Sequence, residues 1–441
     1  MQRYENQASR SDTGNTYRWV ILLVIGLATF FTFFHRMSAS VIQADLSETF
    51  SISATSFGTF SALCFYPYVL MQIPVGLLAD TIGVRKTVSI GCLITAAGTI
   101  VFASAGSFAM ACVGRFLVGF GIASPVVCTQ KITAVWFPAR RVATASAFAG
   151  TLGNLGGLFA QTPLALLIGY LGWRFVFSAA AAATLLLAGI CFAFLRDSPA
   201  EKLRSSPPPT SRAAGNHAGF SAPVKKTFRD RRILCLLPIM LIQMGIYQMF
   251  SGTWGISYLR DVYGYTNVEA SSYTSLMMIG MMAFYLLTPV ISDNLKLRKL
   301  PLIVISGLTF IVWLIIAYGS NLLFSGPLMT VVMILMGATS GSFPLFFSMI
   351  REYSDPRYVG TAVGACNMIG MAAGAFFPII CGRLIDYLVS GGIMGATLYR
   401  YAFTFAVVLA AAAFLISFFT VETHCRNISE EPDMGPLEAA G

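Results

Sequence analysis

The chain has 441 residues, of which 56% are hydrophobic and only 11% charged, with a formal net charge of +10. Soluble domains carry about 25% charged residues, so an ordinary soluble fold is excluded, and the placement of the bases between apolar runs argues against a nucleic-acid-binding face. Three histidines (His35, His217, His424) and nine dispersed cysteines show neither zinc nor disulfide spacing, so neither a metal nor another cofactor is expected.

A bilayer-crossing helix needs roughly 20 apolar residues. Twelve such helices are predicted, at 17–43, 54–78, 87–105, 108–132, 142–170, 174–195, 232–258, 271–292, 300–320, 325–350, 359–387 and 399–421. They define an all-α membrane protein with twelve transmembrane helices in two pseudo-symmetric six-helix bundles. The expected organisation is a cytoplasmic N-terminal tail (1–17), an N-terminal bundle (18–195), a cytoplasmic linker (196–231), a C-terminal bundle (232–421) and a cytoplasmic tail (422–441). The linker contains Ser205-Ser206-Pro207-Pro208-Pro209 and a basic end, a spacer composition. No small-residue cleavage site follows the first apolar run, which is read as a retained span. The polar, acidic tail after Val421 is expected to be disordered. Asn427-Ile428-Ser429 fits a glycosylation sequon, but on the cytoplasmic face.

Orientation follows from the bases. With the N-terminus cytoplasmic, 23 of the 29 Lys and Arg fall in inside segments, four outside, and two, Arg36 and Arg115, within spans. Both termini are therefore expected in the cytoplasm, and the location in a bacterial inner membrane.

In helix 1 (17–43), Arg36 follows His35 in an otherwise apolar stretch. An arginine in a span costs roughly 2.5–3.5 kcal/mol and usually faces a partner or a wet cavity. Arg36 lies roughly 27 Å along the helix from Arg18, so snorkelling or pairing with Asp45 or Glu48 competes with anion binding. Guanidinium matches carboxylate or phosphate bidentately. His35 is the intramembrane titratable candidate for a coupling proton, against a histidine held by a backbone carbonyl or a tyrosine.

Between helix 2 (54–78) and helix 3 (87–105) lies Gly76-Leu-Leu-Ala-Asp80-Thr-Ile-Gly83-Val-Arg85-Lys86. Gly83 can supply the positive φ of a tight turn. Asp80 is placed to meet a helix N-terminus or an arginine, and the group is read as a conformational latch. Helix 4 (108–132) carries Arg115, Gly119, Gly121 and Pro125, and ends at Lys131, which is read as an interfacial anchor. Helix 5 (142–170) and helix 11 (359–387) begin alike, and Gly153 and Gly157 fall opposite Gly370 and Gly374, small faces that let membrane helices approach. Helix 7 (232–258) offers Gln243, Tyr247, Gln248 and Trp254, and helix 2 offers Tyr66 and Tyr68, as polar walls of a cavity. Hydrogen bonding between helices is the competing role for each. Asp293, Arg298 and Lys299 repeat the Asp80, Arg85 and Lys86 spacing 213 residues later, and Glu352 ends helix 10 (325–350).

The loop at 76–86 resembles the signature loop of the major facilitator superfamily. The resemblance covers nearly the whole chain, including the decayed copy at 289–299, Arg115-Phe-Leu-Val-Gly119-Phe-Gly121, and Leu171-Gly172-Trp173-Arg174 before helix 6 (174–195). It implies transport by alternating access about a central site. Around Arg36 the chain is similar to two groups within it. Relative to organophosphate antiporters, Gln248 stands where a second arginine would, which argues against a doubly charged phosphate ester. Relative to anion:cation symporters, Arg115, Gly119 and Pro125 match, but His35 and Ile122 stand at two carboxylate positions.

The expected function is transport of a small organic anion, with zwitterions such as amino acids or short peptides as a second substrate class and a non-transporting membrane receptor as a third reading. An enzyme is not expected, since no histidine cluster, intramembrane acid pair or nucleophile–base arrangement occurs. The expected partners are the small anionic or zwitterionic solute, a coupling proton or ion, and the lipid bilayer. Nucleic acid is not among them, and a monomer is expected.

Overall fold

The computed structural model describes residues 2–137, 139–198, 227–320, 326–355 and 359–429. Among these residues the regular structure is helical throughout. Eleven helices among the described residues are long and apolar enough to cross a bilayer, and twelve if a bent pair, Thr144–Phe159 and Thr162–Leu171 at 42°, counts as one span. The chain is thus an integral membrane protein, as its composition requires.

The predicted helices are present, but prolines divide several of them. Proline cannot donate to the carbonyl four residues back. Helix 2 runs Ala54–Leu63 and Phe65–Thr81, interrupted ahead of Pro67. Helix 4 runs Phe108–Gly121 and Ala123–Trp136, interrupted ahead of Pro125. There Ser124 Oγ donates to the Gly121 carbonyl at 3.1 Å, supplying the hydrogen bond Pro125 cannot. Helix 5 breaks after Phe159, ahead of Pro163. Helix 10 passes through a short tight turn, Thr339–Gly341, ahead of Pro344.

Helix 1 ends at Met37 rather than 43. Ser38 turns its hydroxyl onto the His35 carbonyl at 3.1 Å, a local bond that competes with the helix ladder. A separate helix, Gln43–Phe50, follows. Helix 7 is Arg231–Met249, a wide turn over Phe250–Trp254, then Gly255–Tyr263. Ser251, Gly252 and Thr253 in that turn are weak helix formers. Helices 3, 6, 8 (predicted 271–292), 9 (predicted 300–320), 11 and 12 (predicted 399–421) are Val84–Ala103, Trp173–Phe194, Asn267–Leu295, Lys299–Tyr318, Val359–Ser390 and Gly395–Ser417. A capping box of Thr266 and Glu269 starts helix 8 four residues early.

Contacts divide the chain into two units, Met1–Ser38 with Leu63–Gly215, and Ala39–Ala62 with Asn216–Gly441. In the first, helix 1 packs on helix 5, helix 3 on helices 4 and 6, and the second part of helix 2 on helix 4. In the second, helix 7 packs on helix 11, helix 9 on helix 12, and helix 8 on helix 10. The same pairing scheme therefore occurs twice, as duplication of a six-helix unit would give.

Candidate functional site

In the first unit, Arg36 ends helix 1 and is 8% exposed. Its guanidinium carbon lies 5.2 Å from the Phe33 ring centroid, 5.5 Å from Phe65 and 5.4 Å from Tyr68. A cation over an aromatic face gains about 2 kcal/mol or more when both are dry. Phe65 and Tyr68, each 3% exposed, provide such a setting. Of the two predicted cavity tyrosines of helix 2, Tyr68 stands beside Arg36, while Tyr66 is half-buried and is not one of the three rings. The break before Pro67 sets which face of helix 2 each tyrosine takes, and a uniform helix would not reveal it.

Arg115 is buried in helix 4 and donates from Nη1 to the His35 carbonyl at 2.7 Å. It ties helix 4 to the end of helix 1, next to Arg36. The His35 ring packs near Phe31 and Phe34, is 1% exposed, and its Nε2 has no hydrogen-bond partner among the described residues. Gly119 brings helix 4 hard against the helix 2 break: a Cβ there would lie 2.4 Å from the Cys64 carbonyl oxygen. Gly121 meets helix 3 in the same way, with Gly91 O at 2.3 Å. Arg36 and Tyr68 are thus set by a tightly packed junction of helices 1, 2 and 4.

In the second unit, Gln243 donates to Ser306 Oγ at 2.7 Å, linking helices 7 and 9. Tyr247 points its hydroxyl at Met281 Sδ, 3.1 Å away, with its ring edge-on to Phe343. Gln248 is 8% exposed. Trp254 is 1% exposed and uses its only donor on the Pro378 carbonyl at 3.1 Å. Gln243 and Trp254 therefore make helix-to-helix bonds, the competing role weighed for them from the sequence.

The first signature loop is built as follows. Asp80 pairs with Lys131 at 2.7 Å. Gly83 has φ +88°, and the Asp197 carboxylate stands 2.5–2.6 Å from where a Cβ would be. Asp197 accepts from the Arg85 backbone N at 3.0 Å, at the start of helix 3. The Arg85 guanidinium lies 4.2 Å from the Phe192 ring and donates Nε to the Phe192 carbonyl. Trp136, closing helix 4, donates to the Arg196 carbonyl at 3.1 Å. Lys86 is exposed, and a Cβ on Gly76 would meet nothing within 4 Å.

The second loop repeats this plan with other atoms. Glu422 accepts from the Arg298 and Lys299 backbone N at 2.7 and 2.8 Å, at the start of helix 9. Tyr353, closing helix 10, donates to the Val421 carbonyl at 2.6 Å. Arg298, 6% exposed, bridges Asp293 at 2.6 Å and Glu352 at 2.9 Å. In both halves the segment leaving the last helix returns an acid to the first amides of the third helix and a carbonyl to the aromatic ending the fourth. An acid is stabilised there by unpaired helix amides and the helix dipole.

This corrects the expectation of disorder for the described part of the tail, and 430–441 lie outside the described residues. Residues 421–429 are docked: Ile428 N donates to the Glu352 carbonyl, Arg232 Nη1 to the Ile428 carbonyl at 2.8 Å, and Asn427 Nδ2 to the Ser354 carbonyl. Carbonyls at the end of helix 10 need such donors, and a composition count cannot register that need.

The Asp80–Lys131 pair is open to solvent, with side chains 70% and 34% exposed. An exposed ion pair contributes about 0–1 kcal/mol. Asp80→Asn is therefore expected to lower unfolding free energy by less than about 1 kcal/mol, yet to slow uptake without changing which solutes bind. Uptake kinetics in proteoliposomes check this, and unaltered rates and state populations would remove the latch role.

A model of the Major Facilitator Superfamily matches residues 25–378. The chain is 24% identical over 397 residues to the probable sulfoacetate transporter SauU of Cupriavidus necator, covering 86% of this chain and 91% of that one. It is 24% identical over 399 residues to the probable galactarate/D-glucarate transporter GarP of Escherichia coli, covering 84% and 89%. It is 25% identical over 417 residues to the D-galactonate transporter of Escherichia coli, covering 90% and 93%. Among solved structures it is similar to a bacterial homologue of the human lysosomal transporter Spinster, at TM-score 0.71 and 17% identity, covering 91% and 97%. It is also similar to the nucleoside transporter NupG, at TM-score 0.70 and 16% identity, covering 90% and 98%. With the match running from helix 1 into helix 11 and the six-helix packing scheme present twice, the chain belongs to the Major Facilitator Superfamily.

Proposed function

We propose that the protein carries a small organic anion across the membrane by alternating access, and that Arg36 binds the anion's acidic group. The observation that carries this reading is the guanidinium of Arg36, 8% exposed at the end of a span and ringed by Phe33, Phe65 and Tyr68. Cations are placed in such surroundings at a cost, and a dry guanidinium binds an anion more strongly than a hydrated one. The relatives named for sulfoacetate, galactarate/D-glucarate and D-galactonate support the same class, since each of those solutes bears an acidic group. By the same proposal the membrane is a bacterial inner membrane and both termini are cytoplasmic, which the distribution of bases favours.

The test is a thermal-shift screen of purified protein against sugar acids, sulfonates, sugar phosphates, amino acids and short peptides. A ligand at 100 times its Kd stabilises the native state by about 2.7 kcal/mol. Stabilisation by acidic solutes alone is the expected result. Stabilisation by amino acids or peptides, with none by acids, would replace the anion reading with a zwitterion one.

A further inference from the structure

The surroundings of Arg36 bear on the body of the solute as well as on its acidic head. In the first unit the guanidinium stands among the rings of Phe33, Phe65 and Tyr68. Phe65 and Tyr68 are buried, and Phe33 is half-buried. Helix 5 fits closely against Phe33: a Cβ on Gly153 would lie 3.2 Å from two of its ring carbons. Rings held in this way can take a further ring offset or edge-on, which is worth about 2- to 12-fold in affinity for each pair. The other intramembrane arginine, Arg115, is committed to the His35 carbonyl at 2.7 Å. One guanidinium therefore stands among the rings, and it matches one acidic group.

The second unit, taken by itself, points the same way. The polar residues that the sequence offers on helix 7 are turned to internal use. Gln243 donates to Ser306 and Trp254 to the Pro378 carbonyl. The Tyr247 hydroxyl meets two thioether sulfurs, Met281 at 3.1 Å and Met278 at 3.8 Å, and its ring is edge-on to Phe343. Among the described residues, nine methionines of helices 7, 8 and 10 are buried, against Met37 alone in the first unit. Methionine packing adapts to differently shaped apolar groups. An open-chain sugar acid brings a hydroxyl on nearly every carbon, and each one buried without a partner costs about 5- to 140-fold in affinity. A second acidic group buried without a cation costs more still.

We propose that the carried solute has a single acidic group on an apolar, aromatic body, and that polyhydroxylated acids and dianions are poor ligands. The proposal rests on the anion reading above and names the substrate class within it. The test is thermal-shift titration of the purified protein with phenylacetate, benzoate, D-galactonate, galactarate, terephthalate and the neutral amide phenylacetamide. Phenylacetate is expected to bind at least tenfold more tightly than D-galactonate, which has the same charge. Benzoate is expected to bind at least tenfold more tightly than terephthalate, which has the same ring and a second carboxylate. Tighter binding of D-galactonate or galactarate than of phenylacetate and benzoate would overturn the proposal and leave the anion reading standing. Terephthalate binding as tightly as benzoate, or no binding by either aromatic monoacid, would overturn it as well. Phenylacetamide is expected to bind at least tenfold more weakly than phenylacetate. Equal binding by the amide would bring down the anion reading itself, since the charge would then count for nothing. Phe33→Leu is expected to lower affinity for phenylacetate about 2- to 12-fold, and affinity for isovalerate, equal in charge but without a ring, less than twofold. Equal losses for the two would remove the aromatic body from the proposal.

Discussion

Arg36→Ala is expected to lose affinity for the transported anion by about 30-fold to several thousand-fold while the protein still folds. Removing one partner of a desolvated, hydrogen-bonded charge pair costs about 2–5 kcal/mol, and each 1.4 kcal/mol is tenfold in affinity. The folded state is spared because two effects oppose each other. The substitution gives up contact with the Phe33, Phe65 and Tyr68 rings, but it also removes a charge that costs roughly 2.5–3.5 kcal/mol to hold in a span. The ligand-free unfolding temperature should therefore move little. Arg36→Lys keeps the charge and loses the planar fork, so its affinity should fall between wild type and alanine. Titration of each variant with a solute from the screen measures the series. Binding of that solute by Arg36→Ala within twofold of wild type would end the anion-site reading.

The spans, the duplication and Arg36 were legible because each leaves a local mark: an apolar run, a repeated spacing, a charge out of place. The interruptions were half legible. Pro67, Pro125, Pro163 and Pro344 each announce a missing donor, but only the structure shows Ser124 filling one of them. Long-range pairing left the weakest trace. Asp197 and Glu422 lie 112 and 124 residues from the arginines whose amides they accept. Their one signal was positional, an acid just after the last helix of each half, and it was not used. Tyr66 and Tyr68 were both legible as cavity residues, but choosing between them requires the helical phase on either side of the Cys64 break, which propensity does not report. Residues 39–62 were assigned by chain order to the N-terminal bundle, and only contacts such as Asp386 to Ala54 reveal what holds them.

The two signature loops invite a comparison in which the worse sequence match should prove the stronger structure. Arg298→Ala is expected to destabilise the protein by about 3–5 kcal/mol, the cost of leaving one half of a buried pair. Glu352, only 12% exposed in its side chain, would lose the guanidinium that faces it and keep Thr423. Asp80→Asn, on the loop that matches the family signature, should cost less than about 1 kcal/mol, because that pair is largely exposed. Denaturation of the two variants in detergent measures the difference. Arg298→Ala and Glu352→Ala together should cost less than the sum of the singles, by about 0.5–3 kcal/mol, if the pair acts as one unit. Equal destabilisation by Arg298→Ala and Asp80→Asn would remove the asymmetry. If it holds, the division of labour follows from the magnitudes. An exposed pair worth under about 1 kcal/mol can break and re-form at each turnover with little penalty. The buried pair of Arg298 and Glu352, with the 421–429 segment docked around it, is costly to open and keeps its end of the second unit rigid. The loop that kept the family sequence is then the one suited to switch, and the loop that lost it is the one suited to hold.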